Sequence, residues 1–543
     1  MHRRADARRS PSSDRTCMNR LLSTIAILNI ATAHAAERPN IVVILVDDMG
    51  FSDIGCYGSE IPTPNLDALA ANGLKFKQFY NTGRCCPTRA TLLTGLYAHQ
   101  AGIGHMTDDR GVPSYQGYLN DQCVTIGDVA GSAGYHSIIT GKWHVGAKTK
   151  ANYPLQRGFD RFYGCPEGGG FYFQVKNGRT IVRNNETIAD KNNPLPDGFY
   201  TTDAWVSEGL KFVDEAAEAR KPFMWYLAHN APHFPLQASK EDIEMFRGKY
   251  KKGWWWGSKA RHDRQIESGL IDKSWAKTKK PQKIPQWKTL SEEKRDRFDH
   301  LMAAYAACVY RMDKSVGNLV AGLKERGQFD NTLILFMSDN GGCAESGPNG
   351  RDKGDPTTAD SNWFCGECWA WMQDTPFRKY KHFNHEGGIA TPVIAHWPNG
   401  IKAKGDWYNQ PAHLIDIMAT VTDLAEAKYP AEFNGNKILP MEGTSLRPAF
   451  TGQALKRDDA IYWEHEGNAA VRVGDWKLVR LKAKGAWELY DLKKDRTEQH
   501  DLAEQHPQRV KELEAKWLSW AERCNVKTDG LPVKQKKKKK AAA

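Results

Sequence analysis

The sequence predicts an α/β protein: a large, mostly parallel sheet flanked by helices, followed by a smaller C-terminal antiparallel sheet with one helix. Three observations carry this reading. Short, continuous runs of Ile, Val, Leu and Phe recur through the first part of the chain, as strands buried on both faces require. Helical segments separate those runs. From about residue 445 the pattern changes to short strands joined by Gly-containing turns.

The elements follow in order. Met18 to Ala35, MNRLLSTIAILNIATAHA, has a basic start, a short apolar run and a small-x-small ending at Ala33-His34-Ala35. That pattern predicts a secretory signal over residues 1–35, with Met18 as an alternative start to Met1. The run is too short to span a bilayer and no later one is long enough. An exported protein, periplasmic or secreted, with no stable membrane anchor is expected, and disulfides would be permitted there. The first strand is Ile41 to Val46 in NIVVILVDD. SIIT (137–140) leads into GKWHVG, FMWYLA (223–228) into HNAPH, and TLILFM (332–337) into SDNGG. In DKSVGNLVAGLKERG a helix places Val316, Leu319, Val320 and Leu323 on one face, with Gly327 at its C-terminal end. Residues 240–290 form a polar, Lys- and Trp-rich insertion too long for an ordinary loop. Its Trp254-Trp255-Trp256 run suits internal packing or a stacking wall for a sugar or aryl group.

These elements place a catalytic domain over residues 36–444 and a second domain over 445–526. In the second, AIYWEH, NAAVRVG, WKLVRLK and WELYDL are strands turning near Gly467, Gly474 and Gly485, and an amphipathic helix runs from about Arg509 to Ala521. Residues 527–543, ending in KKKKKAAA, read as a solvated tail.

At 543 residues and 40% hydrophobic, the chain can bury a large core in two or more domains. The formal charge of +12 is mostly terminal. Six arginines oppose only Asp6 and Asp14 in the leader, and Lys534 and Lys536 to Lys540 crowd the tail. The near-neutral body predicts no nucleic-acid partner. Of eleven cysteines, Cys17 leaves with the leader. Cys365-Gly-Glu-Cys368 has no second Cys/His pair at zinc-ligand spacing, so a structural or free-thiol role is expected, with Cys343 a candidate partner.

In parallel sheets ligands bind beyond the carboxyl ends of strands, where every polar motif named above falls. Asp47, Asp48, Asp339 and Asn340 offer hard oxygen ligands from two strand ends, favouring calcium or magnesium over zinc. Lys142 and His144 alternate, so in an extended segment both would point to one side. His233 and Lys381 complete a set of two cations and two imidazoles which, with a divalent metal, would bind a tetrahedral oxyanion. In GRCCPTRATLLTG, Pro87 suits the first turn of a helix. Cys85 then faces free N–H groups at the helix N-terminus, and a disulfide or a thiolate nucleophile remains open on these residues alone.

Cys85-Cys86-Pro87-Thr88-Arg89, followed by Leu93-Thr94-Gly95, resembles the sulfatase signature Cys-x-Pro-(Ser/Ala/Thr)-Arg with its trailing Leu-x-Thr-Gly. The resemblance runs from Asn40 to about Pro507, through WEHEGN, GDWKLV and ELYDL. It is to the arylsulfatase type within the alkaline-phosphatase-like superfamily. It implies that a maturation enzyme oxidises Cys85 to Cα-formylglycine. It also implies one calcium ion, with magnesium the second choice, held by Asp47, Asp48, Asp339, Asn340 and the modified Cys85. Arg89 would steady the formylglycine hydrate, and Lys142 and Lys381 would hold sulfate oxygens.

The implied substrate is an aryl or carbohydrate sulfate ester. One hydroxyl of the hydrate attacks sulfur while His233 protonates the leaving alcohol, and His144 takes the proton of the second hydroxyl to expel sulfate. The rival readings are a phosphonate or phosphodiester hydrolase of the same superfamily and an inactive carbohydrate-binding relative. Arg496 departs from the proline that the family often has after Asp495, at a turn expected to be distal. His382 and His385 receive no role, and His465 is read either as approaching the pocket or as structural.

Overall fold

The strand Asn40–Val46 shows why the apolar runs are continuous. Ile41, Val43 and Leu45 enter one hydrophobic cluster, while Val42, Ile44 and Val46 enter another on the opposite face. Both faces are covered, so the strand is apolar at every position from Ile41 to Val46. The computed structural model describes residues 38–531 except 177, 458 and 459. The predicted leader and the lysine run of the tail lie outside the described residues.

Five strands form the parallel centre of an eleven-stranded sheet, in the spatial order Thr332–Ser338, Asn40–Val46, Phe223–Ala228, His136–Lys142 and Arg161–Cys165. Ala390–His396 runs antiparallel beside Thr332–Ser338 and pairs in turn with Leu74–Tyr80. The register pairs Val46 with Ser338 and Leu45 with Ala228, while Gly141 also pairs with Ala228. Four strands therefore end at one level, and the residues that follow them meet there.

The predicted helix ending near Gly327 is the last part of a longer one, Glu292–Glu325, capped at its start by Ser291 accepting from Lys294 N–H. Gly327 has φ +65°, the left-handed conformation that lets the chain turn out of a helix. The 240–290 segment is built around Lys240–Glu244 and Trp254–Glu267. Trp254 is buried against Trp287, Phe298 and Trp369. Trp255 and Trp256 are about half exposed, and Trp255 stacks on Trp371. None of the three lines the catalytic cavity described below, so the packing alternative describes Trp254 and a stacking wall does not form there.

Ile461–His465, Asn468–Val473, Trp476–Arg480 and Trp487–Asp491 form a four-stranded antiparallel sheet in sequence order. The helix Pro507–Arg523 covers it, burying Leu513, Trp517 and Trp520. The sheet is tied to the main body: Trp463 Nε1 donates to Asn81 O at 2.8 Å, and Lys477 Nζ lies 2.9 Å from both Glu386 and Glu498. Arg496 lies in a turn and does not line the catalytic cavity. It is buried, donates from Nε to Glu386 at 2.8 Å, and bonds Lys77 O.

All ten described cysteines are free. Cys365 and Cys368 donate their thiols to Leu301 O and Pro348 O, and Cys343 pairs with neither. Among the described residues, no helix is long and apolar enough to cross a membrane.

Candidate active site

The helix Cys85–Thr94 begins after Arg84, whose extended backbone (φ −154°, ψ 147°) presents the first turn to the strand ends. Every residue of this helix is buried, and Gly95 closes it at φ +67°. Thr88 donates to Asp339 O at 2.7 Å, which locks the helix start to the end of Thr332–Ser338. Arg89, fully buried, spans the gap. Its Nη1 reaches Lys142 O at 3.0 Å and the Tyr226 hydroxyl at 3.3 Å, and its Nη2 lies 3.1 Å from Asp339 and 3.4 Å from Asp47.

Asp47, Asp48, Asp339 and Asn340 converge behind this helix, each no more than 1% exposed. Asp48 takes a left-handed backbone at φ +64°, which swings its carboxylate back over the strand end. Its N–H donates to Asp339 Oδ1 at 3.1 Å, and its Oδ1 accepts from Asn340 Nδ2 at 2.8 Å. Two buried oxygens in this cluster, Asp47 Oδ1 and Asn340 Oδ1, have no hydrogen-bond partner. Orphaned hard oxygens in an all-oxygen set fit a calcium or magnesium ion, and they are costly without one. Burial alone would raise Asp47, but Lys142, His233 and Arg89 outweigh it and hold the carboxyl below its ordinary range. Asp339 is displaced upward, by burial first and then by Asp47.

Two ammonium groups flank the carboxylates. Lys142 Nζ pairs with Asp47, and Lys381 Nζ lies 2.7 Å from Asp48 Oδ1 and 3.4 Å from Glu345. Burial opposes their charge, yet the facing carboxylates keep both lysines above their ordinary values. His233 sits with Nε2 3.5 Å from Asp48 Oδ2, its ring stacked on Phe234 and its Nδ1 against Phe234 O.

His144 departs from the expected geometry. The strand stops at Lys142, and His144 has φ +58°, so the two side chains share a side through a left-handed turn rather than through strand alternation. Burial, then Lys142, lowers the imidazole to about 4, and its Nδ1 has no hydrogen-bond partner. Gly168, at φ +99°, packs over this ring; a Cβ there would lie 2.6 Å from His144 Cδ2.

Cys85, Lys142, His144, His233 and Lys381 all open onto one cavity of about 310 Å³. Cys86 does not line it. A hydrogen bond from Cys86, then Lys142 and His144, hold the Cys85 thiol well below its ordinary value despite burial. Burial pushes the Cys86 thiol the other way. The site thus presents one acidic sulfur, two cations and two imidazoles over a carboxylate cluster, an arrangement suited to a tetrahedral oxyanion.

Sequence reasoning missed Arg84, Glu345, Lys176, Arg179 and Gly168 to Gly170, which also line the cavity. Arg84 was readable as the residue before the signature; the others belong to loops with no motif of their own. His382 sits beside Arg84, Glu345 and Glu466. His385 turns away towards Glu488, 3.4 Å distant. His465 is fully buried and stacks on His105 rather than lining the cavity.

Residues 39–427 match the Sulfatase family, and residues 377–520 match the family described as N-sulphoglucosamine sulphohydrolase, C-terminal. An uncharacterized sulfatase of Schizosaccharomyces pombe is 32% identical over 541 residues, covering 91% of this chain and 95% of that protein. An arylsulfatase of Klebsiella aerogenes is 32% identical over 448 residues, covering 78% and 95%. Among solved structures, Ps i-CgsB in complex with k-i-k-neocarrahexaose superposes with a TM-score of 0.66 at 28% identity, covering 91% of this chain and 94% of that one. The mixed sheet with its small antiparallel companion is the alkaline-phosphatase-like fold of these neighbours. With the signature helix and the flanking lysines opening onto one cavity and the paired strand-end acids bonded to those lysines, the chain belongs to the sulfatase family of sulfuric ester hydrolases.

Proposed function

We propose that this protein hydrolyses sulfate monoesters of carbohydrates through a formylglycine derived from Cys85, with one calcium ion held by Asp47, Asp48, Asp339 and Asn340. The observation that carries this is the single cavity onto which Cys85, Lys142, His144, His233 and Lys381 all open. The modified residue would supply a hydrated aldehyde, one hydroxyl as nucleophile and the second to expel sulfate, and the cation would lower the pKa of the first.

The side chains perform the rest. Lys142 and Lys381 bind the nonbridging sulfate oxygens and offset their charge. Arg89 neither lines the cavity nor moves a proton; its guanidinium fixes the carboxylates and the Lys142 carbonyl behind the nucleophile. His233, its Nδ1 anchored on Phe234 O, directs Nε2 towards the cavity and donates a proton to the departing alcohol oxygen. His144 is held neutral at physiological pH, which leaves it able to accept a proton beside position 85. Lys176, Arg179 and Arg84 add positive charge to the walls, a lining suited to further anionic groups on an oligosaccharide. The oligosaccharide bound to Ps i-CgsB supports the same substrate class.

The reading includes maturation by a formylglycine-generating enzyme and export directed by residues 18–35. N-terminal sequencing of the mature protein checks the export step, and retention of Met18 would reject it. The activity is tested with sulfated oligosaccharides, nitrophenyl sulfate, a phosphodiester and a phosphonate ester. Faster turnover of the phosphorus esters than of any sulfate would overturn the reading.

A further inference from the structure

A second cluster of ligating groups lies beside the catalytic cavity. His105 comes from the segment between the helix Cys85–Thr94 and the strand His136–Lys142. His465 and Glu466 come from the turn joining Ile461–His465 to Asn468–Val473. The imidazoles of His105 and His465 stack with centroids 5.5 Å apart and planes within 11°. His105 Nε2 lies 3.0 Å from Glu466 Oε1, and His465 Nε2 lies 3.7 Å from the same oxygen. One donor atom from each residue falls within 4.8 Å of the others.

His465 is what the protein alone does not explain. It is fully buried, and neither ring nitrogen has a hydrogen-bond partner. A buried imidazole in that state is costly, and one nitrogen faces a carboxylate too distant to bond directly. Ligands of a tetrahedral zinc ion, each about 2.0–2.1 Å from the metal, stand about 3.4 Å from one another. The two distances to Glu466 Oε1 bracket that separation.

The surroundings suit ligation. His105 Nδ1 lies 3.4 Å from Asp108, whose other oxygen is paired with Arg110 at 2.6 Å; Arg110 Nη2 is itself 3.4 Å from Nδ1. A carboxylate behind the ring leaves Nε2 as the ligating atom. Glu466 Oε2 is held by His382 Nδ1 at 3.0 Å, and His382 Nε2 reaches Glu345 at 3.0 Å.

We propose that His105 Nε2, His465 Nε2 and Glu466 Oε1 bind a divalent transition metal, zinc by ligand type, with a fourth position open to water. Two imidazoles and one carboxylate suit zinc and do not suit calcium. The ion pins the turn of the C-terminal sheet to the main body. It also fixes the chain from Glu466 through His382 to Glu345, which lines the catalytic cavity.

The test uses full-length, calcium-saturated protein dialysed against zinc, with metal content and melting temperature as readouts. One zinc per chain above background is expected, with Tm rising as zinc is added. His465→Ala should lose this zinc, and Asp108→Asn should weaken its binding about tenfold or more. Cobalt is the second probe, applied to the unaltered protein. Visible bands of a four-coordinate nitrogen and oxygen site, without a thiolate charge-transfer band, support the proposal even if His465→Ala fails to fold. A thiolate band would place the ion on Cys85, Cys86 and His144 instead and overturn it. So would zinc content no higher than background, or unchanged affinity in folded His465→Ala.

Discussion

Cys85 faces Lys142 and His144 in the cavity, whereas the Cys86 thiol is buried behind it with its proton firmly held. Only the first sulfur stands where a maturation enzyme's product could react. Cys85→Ala should therefore abolish turnover, and Cys85→Ser should accept at most one sulfuryl group. Cys86→Ser should mature normally and keep substantial activity, since serine fits the same small position. Peptide mass spectrometry should show sulfur replaced by oxygen with the loss of two hydrogens at residue 85 alone; modification at 86 would reverse the assignment. His233 carries a different expectation. Removing a general acid harms poor leaving groups most, so His233→Ala should slow alkyl sulfates by about 10²–10⁴-fold and nitrophenyl sulfate far less. Equal losses on both substrates would remove His233 from the acid role. These residues were legible because each follows an apolar run or the signature motif. The left-handed backbone at His144 was not, because a strand pattern says nothing of the turn that ends it.

At the scale of elements, the C-terminal sheet is joined to the main body by charge as well as by apolar packing. Lys477 is fully buried between Glu386 and Glu498, and Arg496 bonds Glu386 from another side. Burial raises the Glu386 carboxyl, but Lys477 and Arg496 prevail and bring it from 4.5 down to about 2. A carboxyl depressed in the folded state stabilises the fold above its unfolded pKa and loses that contribution as pH falls through the folded value. Urea unfolding should therefore show an acid limb between about pH 4.5 and 2 that is shallower in Glu386→Gln. An identical limb in the variant would show that Glu386 does not drive it. Lys477→Met, which leaves two buried carboxylates less compensated, should cost about 3–5 kcal/mol. The sequence disclosed the four strands and the covering helix, whose alternation and amphipathic spacing are local. It did not disclose this network, because Glu386, Lys477 and Arg496 meet only through tertiary packing. Arg496 is a turn residue whose burial no local pattern reveals.

Across the whole molecule, the catalytic end of the sheet is where like charges are forced together. Asp47 and Asp48 follow one strand, Asp339 and Asn340 follow its neighbour, and the register Val46 to Ser338 puts them at one level. That convergence was readable from four apolar runs that each end in polar residues. The cavity walls were not, since Glu345, Lys176 and Arg179 come from loops whose placement depends on the finished fold. Arg89, Lys142 and Lys381 offset part of the acidic charge, yet Asp47 Oδ1 and Asn340 Oδ1 remain without partners. A cation there would satisfy both oxygens and link two central strands, so its effect should reach beyond catalysis. Chelation should abolish activity and also lower Tm, and calcium should restore both. The recovery in stability should grow with the logarithm of free calcium once the site is saturated. Asp47→Asn weakens the hard-oxygen set and should blunt the calcium response of Tm. Its baseline Tm without metal should fall as well, because Lys142 and Arg89 lose the buried carboxylate they face. Verified metal-free protein that keeps both its full activity and its Tm would remove the cation from the site. A Tm response that survives unchanged in Asp47→Asn would place the calcium elsewhere in the chain.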